Sequence, residues 1–142
     1  MSNFDSAFSL VVGIEGGYKP ATPEDPGGET KYGCSKRRYP AEDIPNLTLD
    51  RAKFLFQRDY WKAQNCDSME WGKALLVFDC AVNGGHPQRW YSMYAGEHMA
   101  DFAIDFQAEH AQYLASLPNW GPNARGWMRR MFKIFMASQR TV

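Results

Sequence analysis

The stretch Ile14-Glu15-Gly16-Gly17-Tyr18, followed by Pro23-Glu24-Asp25-Pro26-Gly27-Gly28-Glu29-Thr30-Lys31-Tyr32-Gly33, decides how we interpret this sequence. The first part places a glutamate between an apolar helical pattern and a pair of glycines, which are typical helix stops. The second part is rich in proline and glycine and has no helical period, so it predicts a loop or a short hairpin. We therefore expect a glutamate at the end of a helix, facing a structured acidic loop.

Helical patterns lie on both sides of this stretch. Apolar residues recur at steps of three and four over residues 3–15, and Ser2 with Asp5 resembles a capping box. Thr48 predicts the start of a helix over about 49–64, and Ser68 predicts the start of another over about 69–83. Gly84-Gly85 and the proline that follows are expected to end that helix.

The remainder of the chain also favours helices. Residues 90–117 are mostly compatible with a helix, although Gly96 weakens it, and Pro118 stops it. Residues 123–138 form a last helical pattern with an apolar side and a basic side, which suits core packing or, as an alternative, contact with an anionic surface. The predicted fold class is mainly α, in a single domain over residues 1–142 with a small β-hairpin or loop.

Charge and composition restrict the possible ligands. Sixteen basic side chains balance sixteen acidic ones, so there is no basic field to bind nucleic acid. Aromatic residues make up 15% of the sequence, which leaves rings available to bind a carbohydrate or a nucleobase. There is no signal-peptide pattern and no run of the ~18 apolar residues that a membrane span needs. We expect a monomer that binds no nucleic acid and does not insert stably into a membrane.

Cysteine and histidine spacing does not indicate a metal or a cofactor. The three cysteines form neither an even disulfide framework nor a CxxC pair, so we expect reduced thiols, with Cys34 and Cys80 as small packed hydrophobes. The three histidines are twelve residues apart and lack acidic or thiol neighbours at ligand spacing, which favours surface or capping roles. They are His86, His98 and His110.

The acidic loop has the groups that glycoside hydrolysis needs. One carboxylic acid must protonate the leaving oxygen, and a second group must supply a nucleophile or direct water to the anomeric carbon. Glu15 is the candidate acid, because a helix C-terminus and partial burial both favour the protonated form. Asp25, in the loop, is expected to stay ionised, and the hydroxyl of Thr30 is a candidate to orient a water. The alternatives are a solvated Glu15 and an Asp25 that only forms a turn.

The motifs Ile-Glu-Gly-Gly-Tyr and Pro-x-Asp-Pro-Gly-Gly-x-Thr-x-x-Gly closely resemble the N-terminal motif of the glycoside hydrolase family 108 lysozymes, which are phage and prophage muramidases. The resemblance continues in three later segments: Phe78-Asp79-x-Ala81-Val82-Asn83-x-Gly85, Tyr113-Leu114-x-x-Leu117-Pro118-Asn119-Trp120 and Arg125-Gly126-Trp127-Met128-Arg129-Arg130. It implies a lysozyme-like fold, a catalytic Glu15, a catalytic half over 1–68 and a helical half over 69–142 that resembles a peptidoglycan-binding region. More loosely, the order of Glu15, Asp25 and Thr30 is similar to the catalytic trio of other phage lysozymes. The chain departs from the family at Cys34 and in a shortened passage over residues 86–99.

The resemblance further implies a phage endolysin that binds peptidoglycan glycan strands. It would hydrolyse the β-1,4 bond between N-acetylmuramic acid and N-acetylglucosamine, and would stay in the host cytoplasm until a holin-type lesion releases it. Tyr18 and Tyr32 are candidate sugar contacts in the cleft beside the hairpin, and Asn83 is either a substrate contact or only a helix stop. A lytic transglycosylase and a catalytically silent wall-binding or secretion-associated module are the alternative functions.

Overall fold

A computed structural model of the protein describes residues 1–14 and 16–140. The chain divides into two compact units, Met1–Asp59 and Tyr60–Val142. The first unit contains α1 (Asn3–Val11), β1 (Thr30–Lys31), β2 (Cys34–Ser35), a 3-10 turn (Ile44–Asn46) and α2 (Leu49–Phe56). The second contains a 3-10 turn (Cys66–Ser68), α3 (Trp71–Asn83), α4 (Pro87–Tyr94), α5 (Met99–Ala115) and α6 (Trp120–Ser138). A π-helical segment, Gln57–Lys62, continues α2 where α-helix was predicted to residue 64.

Helix α1 begins as predicted and ends earlier. The capping box is present, since the Asp5 N–H donates to the Ser2 hydroxyl oxygen at 3.1 Å and the Ser2 N–H donates to the Asp5 carboxylate at 3.3 Å. The helix ends at Val11, and the prediction that it extends to residue 15 is wrong. Gly13 stops it, because Gly13 adopts a φ of +89° and donates its N–H back to the Phe8 carbonyl at 3.0 Å.

The predicted hairpin forms between β1 and β2. Thr30 pairs with Ser35 and Lys31 pairs with Cys34, so Tyr32 and Gly33 make a two-residue turn. Both turn residues have positive φ, +48° and +77°, as in a type I′ turn, which matches the twist of the strands. A Cβ on Gly33 would lie 2.8 Å from a Val12 methyl carbon. The turn therefore packs closely on the end of α1 and requires glycine at its second position.

Helix α2 anchors the hairpin from the other side. The Thr48 hydroxyl accepts a hydrogen bond from the Arg51 N–H at 3.1 Å, so the predicted cap is confirmed. The Phe56 ring meets the Phe8 ring edge-on at 5.6 Å, and a Cβ on Gly33 would lie 3.1 Å from the Phe56 ring. Aromatic contacts thus join α1, α2 and the hairpin turn into one core.

Helix α3 is the buried centre of the second unit. Every residue from Gly72 to Cys80 is buried, which confirms Cys80 as a core residue. The predicted cap at Ser68 is wrong, because Ser68 closes the preceding 3-10 turn and donates its hydroxyl to the Asn65 carbonyl at 2.8 Å. Glu70 takes the N-cap position instead.

Helices α4, α5 and α6 surround α3. The segment predicted to be one helix over 90–117 is two, α4 and α5, which break around Gly96. Lys73 stabilises the turn between α4 and α5, since its ammonium donates to the carbonyls of Ala95 and Glu97 at 2.9 and 2.8 Å. The amide of Gln107 in α5 donates to the Met131 carbonyl of α6 at 3.1 Å. No helix in the described part of the chain is long and apolar enough to cross a bilayer.

Candidate active site

The hairpin of the first unit carries most of the predicted site residues. Tyr18, Asp25, Thr30 and Tyr32 lie on it or on the segment that leads into it. Asn83 lies at the end of α3 in the second unit, and Glu15 lies outside the described residues. The structure therefore places four of the six predicted residues on the hairpin and the segment before it, which together we call the hairpin frame.

Asp25 organises the loop before β1. One of its carboxylate oxygens accepts a hydrogen bond from the Gly27 N–H at 2.9 Å, and its carbonyl accepts from the Gly28 N–H at 3.3 Å. The turn-forming role that the sequence left open is therefore real. Its side chain is exposed, and a carboxylate has room for about four hydrogen bonds, so Asp25 can hold the turn and still act on a ligand.

Thr30 joins the loop to the hairpin. Its N–H donates to the Lys19 carbonyl at 2.9 Å and its carbonyl accepts from the Lys19 N–H at 2.8 Å. Its hydroxyl donates to the Gly28 carbonyl at 3.4 Å, which is long for a hydrogen bond. The hydroxyl oxygen thus keeps lone pairs with which to accept a bond from water.

Glu29 is a site candidate that the sequence analysis missed. The Tyr18 hydroxyl donates to a carboxylate oxygen of Glu29 at 2.7 Å, and this hydrogen bond raises the pKa of Tyr18. The contact follows from the antiparallel bridge between Lys19 and Thr30, which places Tyr18 and Glu29 diagonally across the two segments on the same face, within reach of long side chains. Local sequence contains no signal for that bridge, so the pair could not be found there.

Gly16 brings the segment that follows Glu15 against the hairpin turn. A Cβ on Gly16 would lie 3.0 Å from the Tyr32 Cα and 3.2 Å from its ring, so only glycine fits without displacing Tyr32. The ammonium of Lys31 lies 5.6 Å from the Tyr32 ring centre. Gly16 was predicted to be a helix stop. It instead allows its own segment to pack closely against Tyr32 of the hairpin turn.

Asn83 is held by a buried carboxylate. Its amide nitrogen donates to the Asp79 carbonyl at 3.1 Å and to the Asp79 carboxylate at 2.9 Å. Asp79 is fully buried, and burial raises its pKa to about 6, although Arg130 and Asn83 both act to lower it. The guanidinium of Arg130 is 3.8 Å from the Asp79 carboxylate. With its nitrogen fixed by Asp79, Asn83 retains the side-chain carbonyl oxygen for a substrate N–H or O–H.

His110 lies in the same region; of its two predicted roles, the surface position is wrong, whereas a capping contact to the end of α3 is present. It is fully buried, with one ring nitrogen 2.8 Å from the Gly84 carbonyl at the end of α3. Burial lowers its pKa to about 4, so the ring is neutral near pH 7. His86 and His98 are exposed, as predicted. Among the described residues, no group of three His, Cys, Asp or Glu side chains is placed to hold a metal ion.

Cys34 is confirmed as a packed residue of the hairpin. It is fully buried, and burial raises the pKa of its thiol to about 12. At neutral pH it is therefore a thiol, which is a poor nucleophile. The departure from the family motif at this position places no reactive group in the site.

The fold and the sequence agree on the class of protein. A solved structure described as "Structure of Brucella abortus SagA" matches with a TM-score of 0.81 at 18% sequence identity, and the alignment covers 95% of this chain and 92% of that one. The predicted fold class, mainly α and lysozyme-like with a small hairpin, is thereby confirmed. No curated protein matches this chain.

The sequence model of the family described as Glycosyl hydrolase 108 matches residues 8–85. Because this range is more than half of the chain, the protein belongs to that family and is a glycoside hydrolase. The matched range runs from α1 to the glycines after α3, so it includes all six predicted site residues. Residues 86–142, with α4, α5 and α6, lie beyond it.

Proposed function

We propose that this glycoside hydrolase is a peptidoglycan muramidase of the phage endolysin type. It would cleave the β-1,4 bond between N-acetylmuramic acid and N-acetylglucosamine, with Glu15 protonating the departing oxygen. The observation that carries the proposal is the hairpin. It presents Asp25, Thr30 and Tyr18 on one frame, and its turn lies against Gly16, the residue after Glu15.

Each group on the frame has a chemical role in this proposal. The exposed carboxylate of Asp25 stabilises developing positive charge or, with the Thr30 hydroxyl, holds the attacking water. Tyr18 and Tyr32 contact sugar rings, since aromatic faces and hydroxyls both suit a carbohydrate. Helix α1 ends at Val11, and a helix dipole acts only within the last turn. The acid role of Glu15 therefore depends on the family motif rather than on the helix end.

The second unit contains a pocket that suits wall binding. It measures about 250 Å³ and lies between α4 and α5. Its lining combines two aromatic rings, Trp90 and Tyr113, with the polar groups of Arg89, Glu109 and Gln112. Tyr113 is the partly exposed ring that can stack on a sugar, since Trp90 is only 5% exposed. The polar side chains can bond sugar hydroxyls or the carboxylates of a peptide stem. We include in the proposal that this pocket contacts peptidoglycan outside the bond that is cleaved.

Product analysis tests the reaction. Purified sacculi are digested with the wild-type protein and with Glu15→Gln, and the released muropeptides are analysed by mass spectrometry before and after borohydride reduction. We expect muropeptides with reducing N-acetylmuramic acid ends from the wild type and almost none from the variant. Anhydro-muropeptides would indicate a lytic transglycosylase, and binding without fragment release would indicate a silent module. Either result would reject the muramidase proposal.

The same assay tests the expectation that no metal takes part. We expect equal rates before and after EDTA treatment and dialysis, because the proposed chemistry needs only protein carboxylates and water. Loss of activity that one divalent ion restores would contradict this. Release from a host cytoplasm by a holin-type lesion, and action as a monomer, are further parts of the proposal, which cell fractionation and light scattering would test.

A further inference from the structure

An apolar groove runs between α5 and α6 on the surface of the second unit. It has a volume of about 290 Å³, and Gln107 is the one polar residue among the eight that line it. Three large apolar side chains at or beside the groove are more than half exposed: Phe132 at 62%, Met136 at 61% and Ile104 at 55%. The sequence left core packing and contact with an anionic surface open for residues 123–138, and the exposure of Phe132 shows that core packing does not account for all of the apolar side chains on this helix.

The spacing on α6 makes the apolar side chains a continuous stripe. Met128, Phe132 and Phe135 follow each other at steps of four and three, which places them on one side of a helix. The opposite side of the same helix, with Ile134 and Ala137, is buried in the unit. Helix α6 thus has an apolar face toward the core and a second one toward solvent.

A basic row runs beside the exposed stripe. Arg125, Arg129 and Lys133 are exposed and recur every four residues, so they lie along one side of α6. Helix α6 itself has no acidic residue, and every acidic residue of the sequence precedes position 110. Arg130 alone is directed inward, toward Asp79. On α6 the surface is therefore apolar along one line and positively charged along the next, whereas α5 contributes the apolar Ile104 and also carries the exposed Asp101.

This combination fits one kind of occupant better than the others. A sugar would leave most of its hydroxyls unpaired in the groove, because the one polar side chain that lines it, Gln107, offers a single free carbonyl oxygen, while its amide nitrogen already donates to the Met131 carbonyl. A second copy of the chain would bring like charges on α6 together. An anionic lipid surface accepts apolar side chains at its headgroup boundary and attracts lysine and arginine.

We propose that α6 and the adjoining part of α5 form a peripheral docking surface for anionic phospholipid. Phe132 and Met136 enter the headgroup region, and Arg125, Arg129 and Lys133 contact lipid phosphates. Binding is parallel to the membrane plane and does not require insertion of a helix. This inference is independent of the hydrolytic reaction, because it concerns residues beyond the matched family range.

Cosedimentation with vesicles tests the docking surface. The full-length protein is mixed with vesicles of phosphatidylcholine alone or of phosphatidylcholine and phosphatidylglycerol at three to one. We expect binding to the anionic vesicles only, and release at high salt. Arg129→Gln with Lys133→Gln should weaken binding about 30-fold, since each basic side chain near an anionic surface contributes roughly fivefold. Phe132→Ser with Met136→Ser should weaken it at least tenfold.

A matched control and two further measurements keep the test decisive. Phe54→Ser removes an aromatic side chain that is 50% exposed on the first unit, and it should leave vesicle binding unchanged. All variants should keep the wild-type rate on lipid-free sacculi, which also shows that they fold. Absence of binding to anionic vesicles would overturn the proposal. So would a wild-type dimer that Phe132→Ser dissociates, or a loss of sacculus binding in that variant.

Discussion

Polar side chains are held in place differently in the two units: by local turns around the hairpin of the first unit, and by contacts among α3, α5 and α6 in the second. In the loop and hairpin of the first unit, the exposed Asp25 and the half-buried Thr30 bond to backbone groups two residues away. In the second unit, Asp79, His110 and Arg130 come from three different helices, and the first two are fully buried. The surface groups are set by local turns, whereas the buried groups are set by helix packing.

This difference separates activity from stability. An exposed side chain on a locally determined turn can be changed with little effect on folding. A buried charge cannot, because loss of one partner leaves the other without compensation in a medium of low dielectric constant. We therefore expect substitutions on the hairpin to lower the rate of hydrolysis. Substitutions around Asp79 should lower the free energy of unfolding or change its dependence on pH.

The largest effect is expected at the proposed acid. Glu15→Gln keeps the shape of the side chain and removes the transferable proton, so the rate on sacculi should fall at least ~100-fold. Turbidity of a sacculus suspension measures the rate, and thermal unfolding should be nearly unchanged. Glu24→Gln, an exposed neighbour in the same loop, is the matched control and should retain activity. A Glu15→Gln variant with near-wild-type turnover would remove this residue from the mechanism.

The next largest effect concerns the pH dependence of stability, to which the buried Asp79 and His110 both contribute. The pKa of Asp79 is raised from 3.8 to about 6 in the folded protein, so its stabilising contribution is full below 3.8 and is lost as pH rises through 6. The pKa of His110 is lowered from 6.5 to about 4, so its contribution is present above 6.5 and is lost as pH falls through 4. The two contributions oppose each other between about pH 4 and pH 6.

If either group is removed, the free energy of unfolding should therefore show the pH dependence that the other group produces. Relative to the wild type, the free energy of unfolding of Asp79→Asn should rise with pH from 4 to 6.5, and that of His110→Gln should fall with pH from 4 to 6. Urea unfolding at four pH values measures both, and one pKa unit corresponds to about 1.4 kcal/mol. Parallel pH profiles for the wild type and both variants would show that neither group titrates as the structure indicates.

A smaller effect is expected at the loop. Asp25→Asn preserves an oxygen that can accept from the Gly27 N–H, so it tests the charge without breaking the turn. We expect kcat to fall about tenfold for Asp25→Asn and for Thr30→Ala, with affinity for sacculi nearly unchanged, because lost transition-state contacts affect rate more than ground-state binding. Thr30→Ser keeps the hydroxyl and should behave almost as the wild type. Full activity in both loop variants would leave Glu15 with a different partner.

The sequence predicted features that depend on neighbouring residues. The Ser2 and Thr48 caps and the hairpin followed from local patterns. It failed at two local positions, since Gly13 rather than the later glycine pair stops α1 and Ser68 closes a 3-10 turn. It also failed where distant segments decide, since His110 is buried with its ring against the Gly84 carbonyl. Gly16, interpreted as a helix stop, instead allows the approach to Tyr32. Spacing along the chain contains no information about such contacts.

The smallest effect is expected at the pair that only the structure revealed. Glu29 holds the Tyr18 hydroxyl at 2.7 Å, and Tyr18 is 41% exposed, so the bond orients an accessible ring without contributing much to stability. Tyr18→Phe and Glu29→Gln should each raise KM for soluble glycan fragments a few-fold, with kcat nearly constant. If the two residues act as one unit, the double variant should be no worse than either single variant. Additive losses would show that Glu29 acts on the substrate by itself, and a drop in kcat for Glu29→Gln would make it a rival to Asp25 as the second carboxylate of the reaction.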